Sequence, residues 1–269
     1  MNCFKTCIFL VVFLFLSTSI YAQMDEKFYF PSKDWIDFDS IKHDKFFHQV
    51  EQDTITSYLL YPKNGKVKAT LLYFHGNGGN VSNYVKYVKP LLENGFQVFM
   101  VDFRGYGKST GKPTHLNILS DGQVFFDFAL KQKNVQSQKI IICGVSIGSQ
   151  IAAYLAKENE PQISGLIIDS GISSITDIAF SYMPKERHNF IKSTIKIPYS
   201  SKEDIKSLQK IKVLFIHSTT DKVVPFSHYL KVKQNCKAPN QSLIYTGEHI
   251  MYPLIEPQKY IEAVDKLLE

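Results

Sequence analysis

Short runs of consecutive apolar residues recur along most of the chain, and stretches with helical spacing separate them. The runs cover residues 69–74, 96–101, 139–143, 164–168, 213–216 and 242–245. Strands that are apolar on both faces are typical of a parallel sheet, because the connecting helices cover both of its sides. The pattern therefore predicts an α/β fold with a doubly wound, mostly parallel sheet and helices on both faces.

The segments between these runs predict the helices. Apolar residues follow helical spacing from Val81 to Leu92, where Pro90 is expected to kink the last turn and Gly95 stands where a C-terminal cap belongs. Further helices are predicted at residues 121–131, 149–159, 226–234 and 257–268. The looser alternation at residues 46–50 and 54–60 predicts an antiparallel hairpin ahead of the sheet.

The length of 269 residues, without a repeat or a low-complexity linker, fits one large domain. We assign that domain to residues 46–269 and expect the aromatic and polar leader at residues 23–45 to wrap it without carrying function. Residues 174–210, which contain proline breaks at 184 and 198, are long enough to form a small cap between two strands.

Residues 1–22 resemble a signal peptide, because the apolar run at 7–16 follows Lys5 and ends in small residues before Ala22. The sequence therefore predicts cleavage and export to the periplasm, the cell envelope or the medium, with no membrane span after processing. The alternative is a retained anchor, although the run is shorter than the roughly 18 residues that usually span a bilayer. Cys143 and Cys236 would remain, too few for a disulfide framework.

The charge balance argues against a nucleic-acid partner. The net charge of +6 comes from 31 basic and 25 acidic residues, but Arg104 and Arg187 are the only arginines and the lysines are scattered. Recognition of phosphates and bases favours arginine and a basic stripe. Histidines 43, 48, 115 and 188 show no metal-ligand spacing, so we expect surface or loop positions for them and no metal site.

The motif Gly144-Val145-Ser146-Ile147-Gly148 lies between a predicted strand and a predicted helix. In such an elbow the serine takes a strained backbone conformation that exposes its hydroxyl, and glycines two residues away avoid a collision with the strand and the helix. The start of the helix also favours negative charge that develops beside it. Ser146 is therefore the candidate nucleophile.

A serine needs a base that is oriented by an acid. Asp221 and His249 each follow a predicted parallel strand, and the carboxyl ends of parallel strands share one edge of the sheet. His249 would take the proton of Ser146 while Asp221 fixes the tautomer of the imidazole. Asp169 and His228 remain the rival acid and base.

A glycine-rich turn at residues 75–79 follows the first predicted parallel strand. We expect the backbone amides of Asn77 and Ile147 to form an oxyanion hole, with His75 and Gly76 beside it. Further along the chain, Asp102, Arg104 and Ser109 are expected to stabilise a loop next to that turn.

Two motifs imitate nucleotide sites. Residues 105–109 are similar to a phosphate-binding loop, but Asp102 stands where its first glycine is required. Residues 76–81 imitate a dinucleotide fingerprint, but Val81 stands at the last glycine position. Neither interpretation explains the elbow at Ser146.

Taken together, the motifs resemble the α/β-hydrolase superfamily, and within it the small-cap serine hydrolases of acyl-protein thioesterase, monoacylglycerol lipase and serine aminopeptidase type. The resemblance covers residues 46–268 and rests on HGN at 75–77, DFRGYGKSTG at 102–111, GVSIG at 144–148, DKVVP at 221–225 and GEH at 247–249. It implies hydrolysis of carboxylic esters or thioesters, with a small-molecule or lipid-like acyl substrate and neither metal nor organic cofactor.

Two other functions stay open on the sequence: an aminopeptidase activity of the same triad, and a catalytically silent binding module of hydrolase fold. The predicted cap also carries apolar residues that either line an acyl pocket or pack in the core beneath the cap. These residues are Ile178, Phe180, Tyr182, Met183 and Phe190. The oligomeric state is not indicated by the sequence.

Overall fold

The computed structural model describes residue 25 and residues 28–269. The predicted signal peptide lies outside the described residues. No helix of the described part is long and apolar enough to cross a membrane.

The described residues form an eight-stranded sheet with the strand order β10-β9-β8-β7-β4-β6-β3-β2, and a short pair of strands, β1 and β5, lies beside it. The strands are β1 (Phe30–Pro31), β2 (His43–Val50), β3 (Asp53–Leu60), β4 (Ala69–Phe74), β5 (Gly78–Gly79), β6 (Phe96–Val101), β7 (Ile140–Val145), β8 (Gly165–Asp169), β9 (Lys212–Ser218) and β10 (Asn240–Tyr245). Strands β4 and β6 to β10 pair in parallel. The hairpin β2-β3 is antiparallel and joins the sheet through β6. The predicted fold class is confirmed.

Nine α-helices follow one another in the described part of the chain. They are α1 (Val81–Glu93), α2 (His115–Lys131), α3 (Gly148–Asn159), α4 (Ile175–Tyr182), α5 (His188–Thr194), α6 (Ser201–Asp204), α7 (Ser227–Lys233), α8 (Tyr252–Ile255) and α9 (Pro257–Asp265). Helix α1 runs through Pro90 to Glu93. Helix α2 begins six residues before the predicted start, because Thr114 and Asn117 form a capping box where the sequence lacks apolar periodicity.

The core lies on both faces of the sheet, as alternating strand residues require. In β4, Leu72 and Phe74 belong to the cluster that also contains Phe125 and Ile151. Their neighbours Leu71 and Tyr73 belong to the cluster on the other face. The sheet is therefore rigidly packed on both sides, and its carboxyl edge is a stable platform for a site.

Two of the predicted boundaries need correction. Strand β2 begins at His43, so the domain starts before residue 46. The cap prediction at 174–210 is too long, because Ser201 is buried and accepts a hydrogen bond of 2.5 Å from Gln150 Nε2. Ile205 and Leu208 are also fully buried. Helix α6 therefore belongs to the body of the domain, and the cap consists of α4, α5 and the turn between them.

Of the four histidines expected at surface or loop positions, His48 is buried and His115 is partly buried. His48 lies on β2, and its Nε2 is 2.6 Å from Ser57 Oγ. His115 is the first residue of α2, and its Nδ1 is 2.7 Å from the hydroxyl of Tyr29. The prediction of a surface or loop position is wrong for both, because His48 lies in a strand and His115 in a helix, where aromatic residues distant in sequence contact them.

Candidate active site

Ser146 follows β7 directly and has a φ of +53°, in the left-handed region. The glycines two residues away are there for steric reasons. A Cβ on Gly144 would lie 2.5 Å from Ala152 Cβ, and a Cβ on Gly148 would lie 2.2 Å from the carbonyl oxygen of Phe74. The strand, the strained serine and helix α3 can be joined this closely only when both positions are glycine.

The steric requirement at Gly148 gives a stability prediction. We expect Gly148→Ala to lower the free energy of unfolding by about 2–4 kcal/mol, because the new methyl group meets backbone that cannot move away. Gly78→Ala is the matched control, because a Cβ at Gly78 meets no atom within 4 Å. Urea unfolding checks both variants, and equal stability losses would contradict the steric account.

The register of the sheet brings the candidate residues to one edge. Val145 at the end of β7 pairs with Asp169, and Asp169 at the end of β8 pairs with Ile216. Ser218 at the end of β9 pairs with Tyr245 at the end of β10. Ser146, Asp221 and His249 follow β7, β9 and β10, so all three lie in loops at the carboxyl edge of the sheet, with β8 between β7 and β9.

Asp221 is bonded to His249. His249 Nδ1 lies 2.6 Å from Asp221 Oδ2, while Asp221 Oδ1 accepts the amides of Val223 and Val224, each at 2.8 Å. Burial alone raises the pKa of Asp221, but the hydrogen bond from His249 and the two backbone amides outweigh burial, so the net pKa is lowered. The Asp221 carboxylate is therefore ionised and lies at hydrogen-bond distance from Nδ1 of His249.

The rival acid Asp169 makes a different contact. Its Oδ1 accepts the hydroxyl of Ser170 at 3.0 Å, and its backbone oxygen accepts the amide of Ser146 at 2.9 Å. Complete burial raises the pKa of Asp169 to about 7, with the Ser170 hydroxyl acting against that rise. Asp169 thus supports the backbone of the elbow, and its carboxyl group is not hydrogen-bonded to His249.

The rival base His228 lies on α7 and is fully buried. Its Nδ1 accepts the amide of Ser173 at 3.0 Å, and its Nε2 is 3.1 Å from the hydroxyl of Ser181. Ser173 also donates to Asp177 Oδ2 at 2.6 Å. His228 therefore joins α7 to the cap helix α4, and it makes no hydrogen bond to Ser146 among the described residues.

This histidine gives a pH prediction. Burial, followed by the charge of Lys231, lowers the pKa of His228 to about 4 from its ordinary 6.5. Between these two values the unfolded chain binds a proton and the folded chain does not, so stability falls as pH falls from 6.5 to 4. At 1.36 kcal/mol per pKa unit, the loss from this group is up to about 3 kcal/mol.

We expect His228→Asn to remove that part of the pH dependence, because the amide oxygen of asparagine can still accept from Ser173 without titrating. Urea unfolding of both proteins from pH 7 to pH 4 is the measurement. Parallel stability curves for the two proteins would contradict the prediction.

The turn at residues 75–79 passes against Ser146. A Cβ on Gly76 would lie 2.5 Å from the Tyr84 hydroxyl and 3.4 Å from Ser146 Cβ. The side chain of Asn77 fixes the turn, because its Oδ1 accepts from the amide of Phe30 at 3.1 Å and from the Tyr106 hydroxyl at 2.8 Å. Both of these hydrogen bonds use the side chain of Asn77 and not its backbone N–H group.

The two amides expected in the oxyanion hole are not used elsewhere. No turn or loop hydrogen bond of the described residues has the amide of Asn77 or Ile147 as its donor. His75, at the start of the turn, is completely buried, and its Nδ1 is 2.6 Å from the Gly76 oxygen. Burial lowers the pKa of His75 to about 4, so it is a neutral structural group.

Asp102 organises the loop beside the turn. Its Oδ1 accepts the amide of Val81 at 2.8 Å and its Oδ2 accepts the amide of Lys108 at 3.1 Å, while Ser109 Oγ donates to its backbone oxygen at 2.8 Å. Burial raises the pKa of Asp102 to about 6. The carboxylate of Asp102 thus occupies the loop at residues 105–109, which is similar in sequence to a phosphate-binding loop.

Arg104 contacts the other side of the same loop. Its guanidinium bonds Asp121 of α2 at 2.8 Å through Nε, and Glu51 and Asp53 of the hairpin at 3.0 and 3.1 Å. Arg104 therefore ties the loop to α2 and the hairpin.

An apolar cavity of about 600 Å³ lies between Ser146 and the cap. Four of the five cap residues considered for an acyl pocket line it: Ile178, Tyr182, Met183 and Phe190. Phe180 does not, because its ring stacks on His188 with the centroids 4.2 Å apart. No group of three or more His, Cys, Asp or Glu side chains within the described residues could hold a metal ion.

The leader also lines this cavity, through Phe28 and Phe30. Strand β1 pairs with β5 in the glycine-rich turn, which brings these side chains to Ser146. The leader, which the sequence predicts to wrap the domain without carrying function, thus places two side chains in the wall of the cavity. The run of three aromatic residues at 28–30 was the available signal, but its partner strand is only two glycines long.

Comparisons with known proteins agree with this architecture. The model of the family described as "Serine aminopeptidase, S33" matches residues 65–210, which include Ser146 and the turn at 75–79 but neither Asp221 nor His249. The uncharacterised protein YfhR of Escherichia coli O157:H7 is 35% identical over 184 residues, which are 68% of this chain and 63% of that protein. Protein bem46 of Schizosaccharomyces pombe is 32% identical over 174 residues, 64% of this chain and 58% of that protein. The chain thus spans less than two thirds of the length of these relatives.

Solved structures share the fold. An esterase of Pyrococcus furiosus superposes with a TM-score of 0.69 at 18% identity, over 89% of this chain and 98% of that one. Est1E of Butyrivibrio proteoclasticus, solved with ferulic acid bound, superposes with a TM-score of 0.67 at 21% identity, over 83% of this chain and 97% of that one. Because the family model matches more than half of the residues of this chain, the chain belongs to the serine aminopeptidase S33 family of α/β hydrolases.

Proposed function

We propose that the protein is a serine hydrolase that cleaves carboxylic esters or thioesters through an acyl-enzyme on Ser146. The observation that carries the proposal is the position of Ser146, which has a strained φ of +53° and lines an apolar cavity. It lies at the same edge of the sheet as Asp221 and His249, whose Oδ2 and Nδ1 atoms are 2.6 Å apart. Backbone strain of this kind is common at active sites, where the surrounding structure holds it.

In the proposed reaction, His249 Nε2 accepts the proton of Ser146 as Oγ attacks the acyl carbon. The ionised Asp221 stabilises the imidazolium that forms, and the amides of Asn77 and Ile147 receive the negative charge on the carbonyl oxygen. His249 then gives its proton to the leaving alcohol or thiol. Water, activated by the same histidine, releases the acid from Ser146.

The cavity favours an acyl chain over the amino terminus of a peptide. A site for a protonated amine needs a carboxylate, and no aspartate or glutamate is among the described residues that line the cavity. Its one charged lining residue within the described part is a cation, Arg187. This observation supports ester or thioester hydrolysis against the aminopeptidase alternative.

The test compares p-nitrophenyl esters of graded acyl length with aminoacyl p-nitroanilides, in buffer without added metal. We expect ester cleavage with a burst of nitrophenol, because an acyl-enzyme accumulates when its hydrolysis is the slower step. Faster cleavage of the anilides than of every ester would overturn the proposal in favour of a peptidase.

A further inference from the structure

Arg187 is an unpaired cation at an apolar cavity. It lies in the turn between α4 and α5, and the other lining residues of the described part carry no charge. Its guanidinium makes no hydrogen bond or ion pair with any described residue. By contrast, Arg104, the other arginine of the chain, is fully committed to three carboxylates.

Helix α4 forms one wall of the cavity and ends next to Arg187. Ile175, Ile178, Ala179 and Tyr182 line the cavity at helical spacing, so this wall is about 10 Å long at 1.5 Å per residue. The start of the wall lies beside the elbow, because the amide of Ile172 donates to Ser149 Oγ at 3.2 Å. Arg187 comes after the far end of the helix.

The acyl part of a substrate, not its leaving group, is the part that fits this cavity. In the proposed reaction the leaving group receives its proton from His249 and must lie beside that ring. His249 is not among the residues that line the cavity, whereas Ser146 and the amide-bearing Asn77 and Ile147 are. The chain on the acyl side of the scissile bond therefore points towards α4 and the cap.

We propose, on the basis of the proposed function, that Arg187 selects acyl substrates whose apolar chain ends in a carboxylate. A guanidinium offers two parallel N–H donors that match a carboxylate, and Arg187 is exposed, so a carboxylate carried by a chain in the cavity can reach it. The carboxylate takes no part in bond making. Ser146 displaces the alcohol or thiol, and water then releases a dicarboxylic acid.

The experiment compares two esters with eight-carbon acyl chains, the mono-p-nitrophenyl ester of suberic acid and p-nitrophenyl octanoate. They differ in a terminal carboxylate against a methyl group, so the ratio of their kcat/KM values measures selection of the anion. We expect Arg187→Gln to lower this ratio about threefold, mainly through KM, as is typical of an exposed ion pair, and Arg187→Glu to lower it further by like-charge repulsion. Added salt should lower the wild-type ratio.

Lys185→Gln is the matched control, because Lys185 is an exposed cation of the same turn that does not line the cavity. Its ratio should equal that of the wild type. Equal ratios in the Arg187→Gln and Lys185→Gln proteins would overturn the proposal.

A second pair of substrates tests whether Arg187 recognises an anion on the acyl group or one on the leaving group. Octanoyl esters of 4-hydroxybenzoate and 4-hydroxybenzamide carry the charge or its neutral counterpart on the leaving group. An effect of Arg187→Gln confined to this pair would also overturn the assignment. If the wild type cleaves neither of the two eight-carbon p-nitrophenyl esters through Ser146, the proposed function itself fails, which separates the two failures.

Discussion

Replacing Ser146 by alanine is expected to lower kcat for p-nitrophenyl esters by about a millionfold, the loss seen when the nucleophile of a triad is removed. The protein should stay folded, because the described residues make no hydrogen bond to the Ser146 hydroxyl. Circular dichroism and the melting temperature check the fold, and a variant that keeps half of the wild-type rate would contradict the role of Ser146.

A second variant at this position separates the effect of the backbone strain on stability from the effect of the hydroxyl on activity. Ser146→Gly should be equally inactive and yet more stable than the wild type by about 1 kcal/mol, because glycine accepts the φ of +53° without steric cost. Urea unfolding of the two variants and the wild type provides the comparison. A loss of stability in the glycine variant would show that the strain account is wrong.

Replacing Asp221 by asparagine is expected to lower kcat by about ten-thousandfold, because the amide no longer fixes the tautomer of His249 or stabilises its imidazolium. The bond of 2.6 Å between His249 Nδ1 and Asp221 Oδ2 is the contact that the change disturbs. Steady-state kinetics on the same esters measure the loss.

Asp169→Asn is the matched control, since Asp169 is also an aspartate at the carboxyl edge and is equally buried. Burial raises its pKa to about 7, so a neutral amide is close to the state that it partly occupies near neutral pH. We expect less than a tenfold loss of kcat for this variant. A large loss at Asp169 together with a small one at Asp221 would reverse the assignment of the acid.

The part of the site that follows strand ends could be predicted from the sequence. The glycines at 144 and 148 predict close packing around Ser146, and in the structure other atoms lie too close for a Cβ atom at either position. Asp221 and His249 each follow an apolar run, and parallel strands bring such positions to one edge. Local patterns therefore indicated the residues, although their roles remain a proposal.

The walls of the cavity could not be predicted in the same way. Phe28 and Phe30 reach it because Phe30 and Pro31 pair with Gly78 and Gly79, a contact between segments almost fifty residues apart that leaves no periodic signal. For Phe180 the sequence left an acyl pocket and core packing as alternatives, and in the structure its ring stacks on His188. Helical spacing gives the face of a residue only after the position of the helix is known.

Labelling with a fluorophosphonate, followed by mass spectrometry of the digested protein, tests the central claim most directly. The account predicts one covalent adduct, on the peptide that contains Ser146, with slower labelling in a His249→Ala variant and none in Ser146→Ala. Folded wild-type protein that stays unlabelled, or a label that persists in Ser146→Ala, would contradict the claim and favour a binding module of hydrolase fold.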